Sequence, residues 1–177
     1  DQVKGLDTSK VTVTSGPSAY TIFLLLNQGA AVSPATSNPQ YVSAVKKAID
    51  YTGLLGVAGM GAVQPAGVIP SLIAGTLPAS DALKQDVAGA KSALAASGVA
   101  GQKPKLAYPS DLTLNGLSFQ TLAEKLQSQL AAAGIAIDLA QAGGGPGVAR
   151  EHGHLMPQRD ELPRQEVDVF GDTTEYR

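Results

Sequence analysis

The sequence predicts an α/β or α+β fold with a mixed sheet, and three observations predict it. From Val11 to Leu139, β-branched or apolar runs alternate with amphipathic, Ala-rich stretches of helical period. Between Lys105 and Leu139 a strand, a helix and a strand follow one another closely, a βαβ unit that should cross over right-handed into parallel pairing. The apolar fraction of 44% over 177 residues is that of a globular chain. A body of about 145 residues buries roughly 70% of its unfolded surface, enough for a core without staples.

The elements follow in order. Val11-Thr12-Val13-Thr14 is β-branched or hydroxylated throughout and reads as a short strand, and Ser15-Gly16-Pro17-Ser18 as a turn. Tyr20–Asn27 reads as a second strand, whose continuous run Ile22-Phe23-Leu24-Leu25-Leu26 predicts burial on both faces. Asn38-Pro39 predicts a helix start, with Asn38 as cap and Pro39 in the first turn. Val42, Val45 and Ile49 supply its apolar face, and Lys46-Lys47 its solvated face. The helix is expected to lose order near Gly53 or Gly56. Gly53–Pro78 then reads as a long loop with a helical turn at Ser71–Ala74.

Ser80 or Asp81 is expected to cap the next helix, with Leu83, Val87, Ala90 and Leu94 inward and Gly98 ending it in a left-handed turn. Lys105–Pro109 reads as a strand and Leu117–Ala133 as a helix with a stripe of Leu122, Leu126, Leu130 and Ala133. Gly134 stops that helix, and Ile135–Leu139 reads as the last strand. No internal repeat is apparent.

The chemistry changes after Gly143-Gly144-Gly145-Pro146-Gly147. Residues 1–149 contain no Arg, no His and a single Glu, Glu124, whereas residues 150–177 hold all four Arg, both His and the other four Glu. The chain is therefore divided into a folded body over 1–142 and a Gly-rich break with an unassigned polar tail over 143–177. The tail reads as a divergent native end, an appended segment or an out-of-frame stretch.

Bulk properties narrow the function classes. A net charge of −2 with 16% charged residues gives no basic stripe for a nucleic-acid partner. With no Cys, disulfides and thiolate metal sites are excluded. The run Ile22–Leu26 is far too short to span a bilayer. The opening Asp1-Gln2-Val3-Lys4 is not a signal peptide, as expected of a processed protein or an excised piece.

Each chemical motif has a plainer account. Glycines 53, 56, 59 and 61 follow a helix and lead into a Pro-containing loop, whereas a phosphate-binding fingerprint sits between a strand and the helix it opens. His152-Gly153-His154 offers two imidazoles, with Glu151 and Asp160 nearby but at no recognised metal-ligand spacing; a polar tail explains them more simply. Gly-x-Ser-x-Gly is absent, and a Ser–His–Asp site would require the tail to fold back over the body. Asp81 and Asp86 are explained by helix capping and the helix dipole. Tyr20 and Tyr108 stand at strand ends, where α/β sheets present ligands, although a Tyr there is more often packing.

Five segments, in order, carry a family resemblance. They are Val11–Asn27, ending in a Phe- and Leu-rich run and Asn; Asn38–Ile49, with Lys46-Lys47 after Val45; the Pro-containing loop Gln64–Pro70; Asp86–Gly98; and Thr121–Ile135 with the strand after it. Residues 3–141 thereby resemble the second lobe of extracytoplasmic solute-binding proteins of the peptide/nickel/oligopeptide class, family 5, the receptors of ABC importers. The Trp-, Tyr- and Asp-rich segment that the family carries after the last strand has no counterpart, and the chain has no Trp.

The resemblance implies a single periplasmic-binding-protein-like lobe that binds without chemistry. Two lobes would close on a small, peptide-like solute and present it to an ABC permease. The other partner implied is the missing first lobe; no nucleic acid and no cofactor is implied. The location implied is extracytoplasmic, either in a periplasm or as a cell-surface lipoprotein. The residues expected at the solute are Ser18 and Tyr20 at the entry to the second strand, Asn27 at its end, and Tyr108, as hydrogen-bonding groups or an aromatic wall. Two rival classes remain: a small hydrolase-like or metal-dependent enzyme using His152, His154 and a carboxylate, and a protein-interaction module using the 53–78 loop or the tail.

Overall fold

Asn38 and Pro39 start the first helix as the sequence predicts. In the computed structural model, which describes residues 5, 7, 9–12, 16, 18–59, 61–114 and 116–142, helix α1 spans Pro39–Ala48. The Asn38 side-chain oxygen accepts from the backbone N–H of Gln40 at 2.9 Å and of Tyr41 at 3.2 Å. Two donors that the helix leaves open are thus satisfied at its first turn. Tyr41, Ala44, Val45, Ala48 and Ile49 are buried, while Val42 is only half-buried.

Contrary to expectation, the chain does not dissolve into a loop at Gly53 or Gly56. A second helix, α2, spans Tyr51–Ala58 and contains both glycines. Asp50 caps it by accepting from Gly53 N–H at 2.9 Å. The α4 side chain of Gln129 clamps that cap, taking a bond from Asp50 N–H at 3.1 Å and giving one to Asp50 C=O at 3.2 Å. Tyr51 and Leu54 pack on the core, so tertiary contacts offset the poor helix propensity of glycine. Gly59, at φ 95°, ends the helix. From there to Pro78 the chain is irregular, with the expected turn where Ile73 N–H bonds Pro70 C=O at 3.0 Å.

The next helix also starts later than predicted. Ala79–Asp81 forms only a 3-10 turn, and α3 spans Val87–Ser97 with Asp86 as its cap. Asp86 accepts from Gly89 N–H at 2.8 Å. The choice of Asp86 over Asp81 is tertiary: Asp86 N–H bonds Lys47 C=O at 2.8 Å and Gln85 Nε2 bonds Ala48 C=O at 3.0 Å. Leu83 consequently precedes the helix and is exposed instead of joining its buried face. Gly98 ends α3 in the left-handed region at φ 69°, as predicted.

These bonds join the end of α1 to the start of α3. At the other end Asn38 Nδ2 donates to Ser97 C=O at 3.0 Å, so the two helices run antiparallel and are tied at both ends. Buried Ala44, Ala48, Ala90 and Ala93 line the pair, and their small side chains permit close approach.

Strand β1 spans Lys105–Pro109 as predicted. A small hairpin absent from the sequence reading follows, β2 (Thr113–Leu114) with β3 (Leu117–Ser118), so helix α4 begins at Phe119 and runs to Ala132. Leu126, Leu130 and Ala133 are buried and Leu122 half-buried, which is the predicted stripe. Gly134, at φ 86°, donates to Ala131 C=O, and Ile135 N–H donates to Leu130 C=O at 2.9 Å. This is a Schellman end, closed by apolar contact across it.

That end explains why the last strand is Asp138–Ala142 and not Ile135–Leu139. Ile135 is committed to the core beside Leu130, and Ile137 C=O accepts from Gln127 Nε2 at 2.9 Å. Strand β4 pairs with β1 in parallel, Lys105 opposite Asp138 through Pro109 opposite Ala142. Parallel and antiparallel pairing both occur, in two separate two-stranded sheets. The core lies among α1, α3, α4 and the chain entering β4.

The predicted second strand is the main departure. Tyr20–Asn27 has no regular secondary structure and pairs with no described residue. Leu24 and Leu26 pack on the core while Ile22, Phe23 and Leu25 are exposed, so only one face is covered. Of the predicted first strand, Val13 and Thr14 lie outside the described residues, and Val11 and Thr12 belong to no strand. Residues 143–177, with the expected break and tail, also lie outside them. Among the described residues no helix is long and apolar enough to cross a membrane.

Candidate functional site

Parallel strands bring their carboxyl ends to one side, and there α/β sheets present ligands. In this chain that edge is built from Tyr108-Pro109 opposite Gln141-Ala142. The ladder extends by one bond, Ser110 N–H to Ala142 C=O at 3.0 Å, before Asp111 and Leu112 lead into the β2–β3 hairpin. Asp111 and Leu112 are exposed, and Gln141 is exposed on the neighbouring strand. The edge thus offers a carboxylate, an amide and an apolar side chain to solvent.

The four sequence-predicted residues occupy two places. Tyr108 lies at the carboxyl end of β1 and is buried, with 7% of its surface open. Ser18, Tyr20 and Asn27 lie along the irregular segment before α1 and are exposed. The Asn27 side-chain oxygen accepts from Gly29 N–H at 2.8 Å, and its backbone C=O accepts from Thr36 Oγ1 at 2.6 Å. Gln28 Nε2 donates to Thr36 C=O at 3.0 Å. Asn27 therefore organises the turn that leads into α1. Among the described residues no hydrogen bond links Tyr108 to Ser18, Tyr20 or Asn27.

A groove elsewhere was not foreseen. An open groove of about 360 Å³ lies between α4 and the start of β4, lined by Lys103, Glu124, Gln127, Ser128 and Asp138 over Ala131, Ala136 and Ile137. It sits at the amino ends of the parallel strands, opposite the edge described above. The sequence signal for it was the polar side of α4, which reads equally as a solvated helix face.

The protonation equilibria that the fold shifts lie elsewhere. Burial raises the Tyr41 and Tyr51 hydroxyls above the usual tyrosine range. The Ser9 hydroxyl, then the Ser9 N–H, holds the exposed Asp7 carboxyl below its usual value. Among the described residues no group of three or more His, Asp or Glu could hold a metal ion. His152 and His154, with Glu151 and Asp160, lie outside them.

Residues 1–154 match the model of the bacterial extracellular solute-binding proteins, family 5, middle region. The chain belongs to this family. No curated protein matches the chain. Among solved structures it is similar to the ABC transporter substrate-binding protein CtaP from Listeria monocytogenes, with 21% identity and a TM-score of 0.55. That likeness covers 64% of this chain and 23% of the Listeria protein, so the chain spans about a quarter of the substrate-binding protein it matches. At this identity the likeness establishes the fold, a substrate-binding-protein architecture of α/β class. The family-5 match and the fold agree with the five sequence segments that carried the resemblance.

Proposed function

We propose that this family-5 chain forms part of a receptor that captures a small, peptide-like solute outside the cytoplasm and delivers it to an ABC importer without chemical conversion. The observation that carries the reading is the family match over residues 1–154 of 177. The fold supports it, because a parallel pair with exposed polar groups at its carboxyl edge is suited to forming one wall of a cleft. A further lobe would supply the opposite wall, and closure of the two on the solute would form the species the permease recognises. Ser18, Tyr20 and Asn27 would offer hydrogen-bonding groups, and Tyr108 would back the wall from β1.

The test is thermal unfolding of the receptor produced from the source gene, with a di- to hexapeptide mixture, nickel chelates and sugars in parallel. A solute at about 100 times its dissociation constant adds about 2.7 kcal/mol, which raises the melting temperature by a few degrees. Stabilisation by peptides, recovered intact afterwards, is the expected result. Stabilisation by another solute class alone would overturn the peptide assignment, and hydrolysis of the solute would overturn binding without chemistry.

A further inference from the structure

The proposed solute wall is drawn from two stretches of chain and one strand end. Residues 11–45, which hold Ser18, Tyr20 and Asn27, contain no Asp, Glu, Lys, Arg or His. Residues 106–123, which hold Tyr108 and run through the β2–β3 hairpin into α4, contain a single charged residue, Asp111. The neighbouring strand end, Gln141-Ala142, is uncharged. At the opposite, amino end of the parallel pair both signs occur: Lys103 precedes β1, and Lys105 stands opposite Asp138 in the ladder. Four strand steps of about 3.3 Å separate the two ends by about 13 Å, beyond the screening length of about 8 Å at physiological salt. The wall residues therefore contribute one formal charge, and it is negative. The backbone fixes where it stands. Ser110 N–H bonds Ala142 C=O at 3.0 Å just before Asp111, the hairpin begins at Thr113 just after it, and Leu117 of that hairpin is buried. Asp111 itself is exposed.

On the reading of the chain as one wall of a solute cleft, on which this rests, we infer that Asp111 sets the charge preference of that wall. The solute group it takes is a cation, an ammonium or a guanidinium. In the open lobe the carboxylate is solvated, and an exposed ion pair adds little. Closure of a cleft excludes water, and a carboxylate enclosed without a counter-charge is strongly unfavourable. A solute cation within hydrogen-bond reach supplies the counter-charge. A solute carboxylate in the same place meets like charge, and neither stretch holds a Lys, Arg or His to receive it. Ser18, Tyr20, Asn27 and Gln141 are neutral hydrogen-bonding groups, which orient a solute without discriminating the sign of its charge. Asp111 is thus a specificity-determining residue. A charge-assisted hydrogen bond of this kind raises affinity by roughly 10- to 100-fold.

The experiment is isothermal titration calorimetry of the whole receptor produced from the source gene, with three peptides. Trialanine carries its cation as the α-ammonium, acetyl-Ala-Lys-Ala carries it on the side chain, and acetyl-trialanine has none; all three keep the same free carboxylate. Each is titrated into the unaltered receptor, into Asp111→Asn, and into Asp81→Asn as a control at an exposed carboxylate of the 3-10 turn. The expected result is that at least one cationic peptide binds roughly tenfold or more tightly than acetyl-trialanine. Which of the two gains identifies the source of the cation. Asp111→Asn removes that advantage, leaves acetyl-trialanine binding and the melting temperature of the empty receptor unchanged, and Asp81→Asn keeps the advantage. Equal affinities for all three peptides, an advantage that survives Asp111→Asn, or a uniform loss across the three in that variant would overturn the inference and leave solute binding standing. Binding of none of the three would instead overturn the peptide reading itself, and this inference with it.

Discussion

Asn38 is the residue at which local and tertiary structure meet, and its removal has a calculable effect. Its Oδ1 accepts two N–H groups at the start of α1, and its Nδ2 reaches the Ser97 carbonyl at the end of α3, at 3.0 Å. Losing an N-cap costs about 1 kcal/mol, and leaving a part-buried carbonyl without its donor costs about 1–3 kcal/mol. Asn38→Ala removes both functions and is expected to cost about 2–4 kcal/mol. Asn38→Asp keeps the cap, gains a few tenths of a kcal/mol from the positive helix end, and loses only the donor. It should cost about 0.5–2.5 kcal/mol, and in any case less than Asn38→Ala. Urea unfolding followed by far-UV circular dichroism suits a chain with no Trp. With a slope of about 2 kcal/mol per M, Asn38→Ala shifts the midpoint down by about 1 M or more and leaves the slope unchanged. Equal midpoints for Asn38→Asp and the unaltered chain would refute the Asn38–Ser97 tie, and equal midpoints for Asn38→Asp and Asn38→Ala would refute the cap.

Two further outcomes follow from one half-buried and one buried polar side chain. Gln129→Ala removes both bonds to the Asp50 backbone and should cost about 1–3 kcal/mol by urea unfolding, with amide protection lost first over α2; uniform loss across the chain would contradict the clamp. Tyr41 is 1% exposed and its hydroxyl has no hydrogen-bond partner among the described residues. Its folded hydroxyl titrates above the unfolded one, so its contribution is fully present below the unfolded value near pH 10 and is lost as pH rises through the folded value. Tyr41→Phe should therefore leave stability at pH 7 unchanged or raised by up to about 2 kcal/mol, and flatten the alkaline limb of stability against pH. A large loss at pH 7 would mean that the hydroxyl has a partner.

Sequence patterns announced the elements governed by local chemistry. Asn38-Pro39, the Leu122–Ala133 stripe, and Gly98 and Gly134 as stops each act within one or two turns, and all are where they were expected. The parallel β1–β4 pairing followed from the βαβ spacing. What local patterns could not carry were the choices made by distant partners. Gln129 rescues a glycine-containing α2, Lys47 and Ala48 select Asp86 over Asp81, and the Schellman end delays β4 by three residues. The two-residue strands of the hairpin are too short to have a period. Tyr20–Asn27 has the composition of a strand but finds no pairing partner among the described residues. The candidate site was legible as residue types at strand ends, but the exposure of Tyr20 and the burial of Tyr108 are properties of packing.

The most direct test of a solute-binding role for this chain is hydrogen exchange on the whole receptor, with and without a bound peptide. Solute-dependent protection is expected at Ser18–Asn27 and at Tyr108–Asp111, at the carboxyl edge of β1. Protection confined to the groove of Lys103, Glu124 and Asp138, or no change anywhere in this chain, would contradict it.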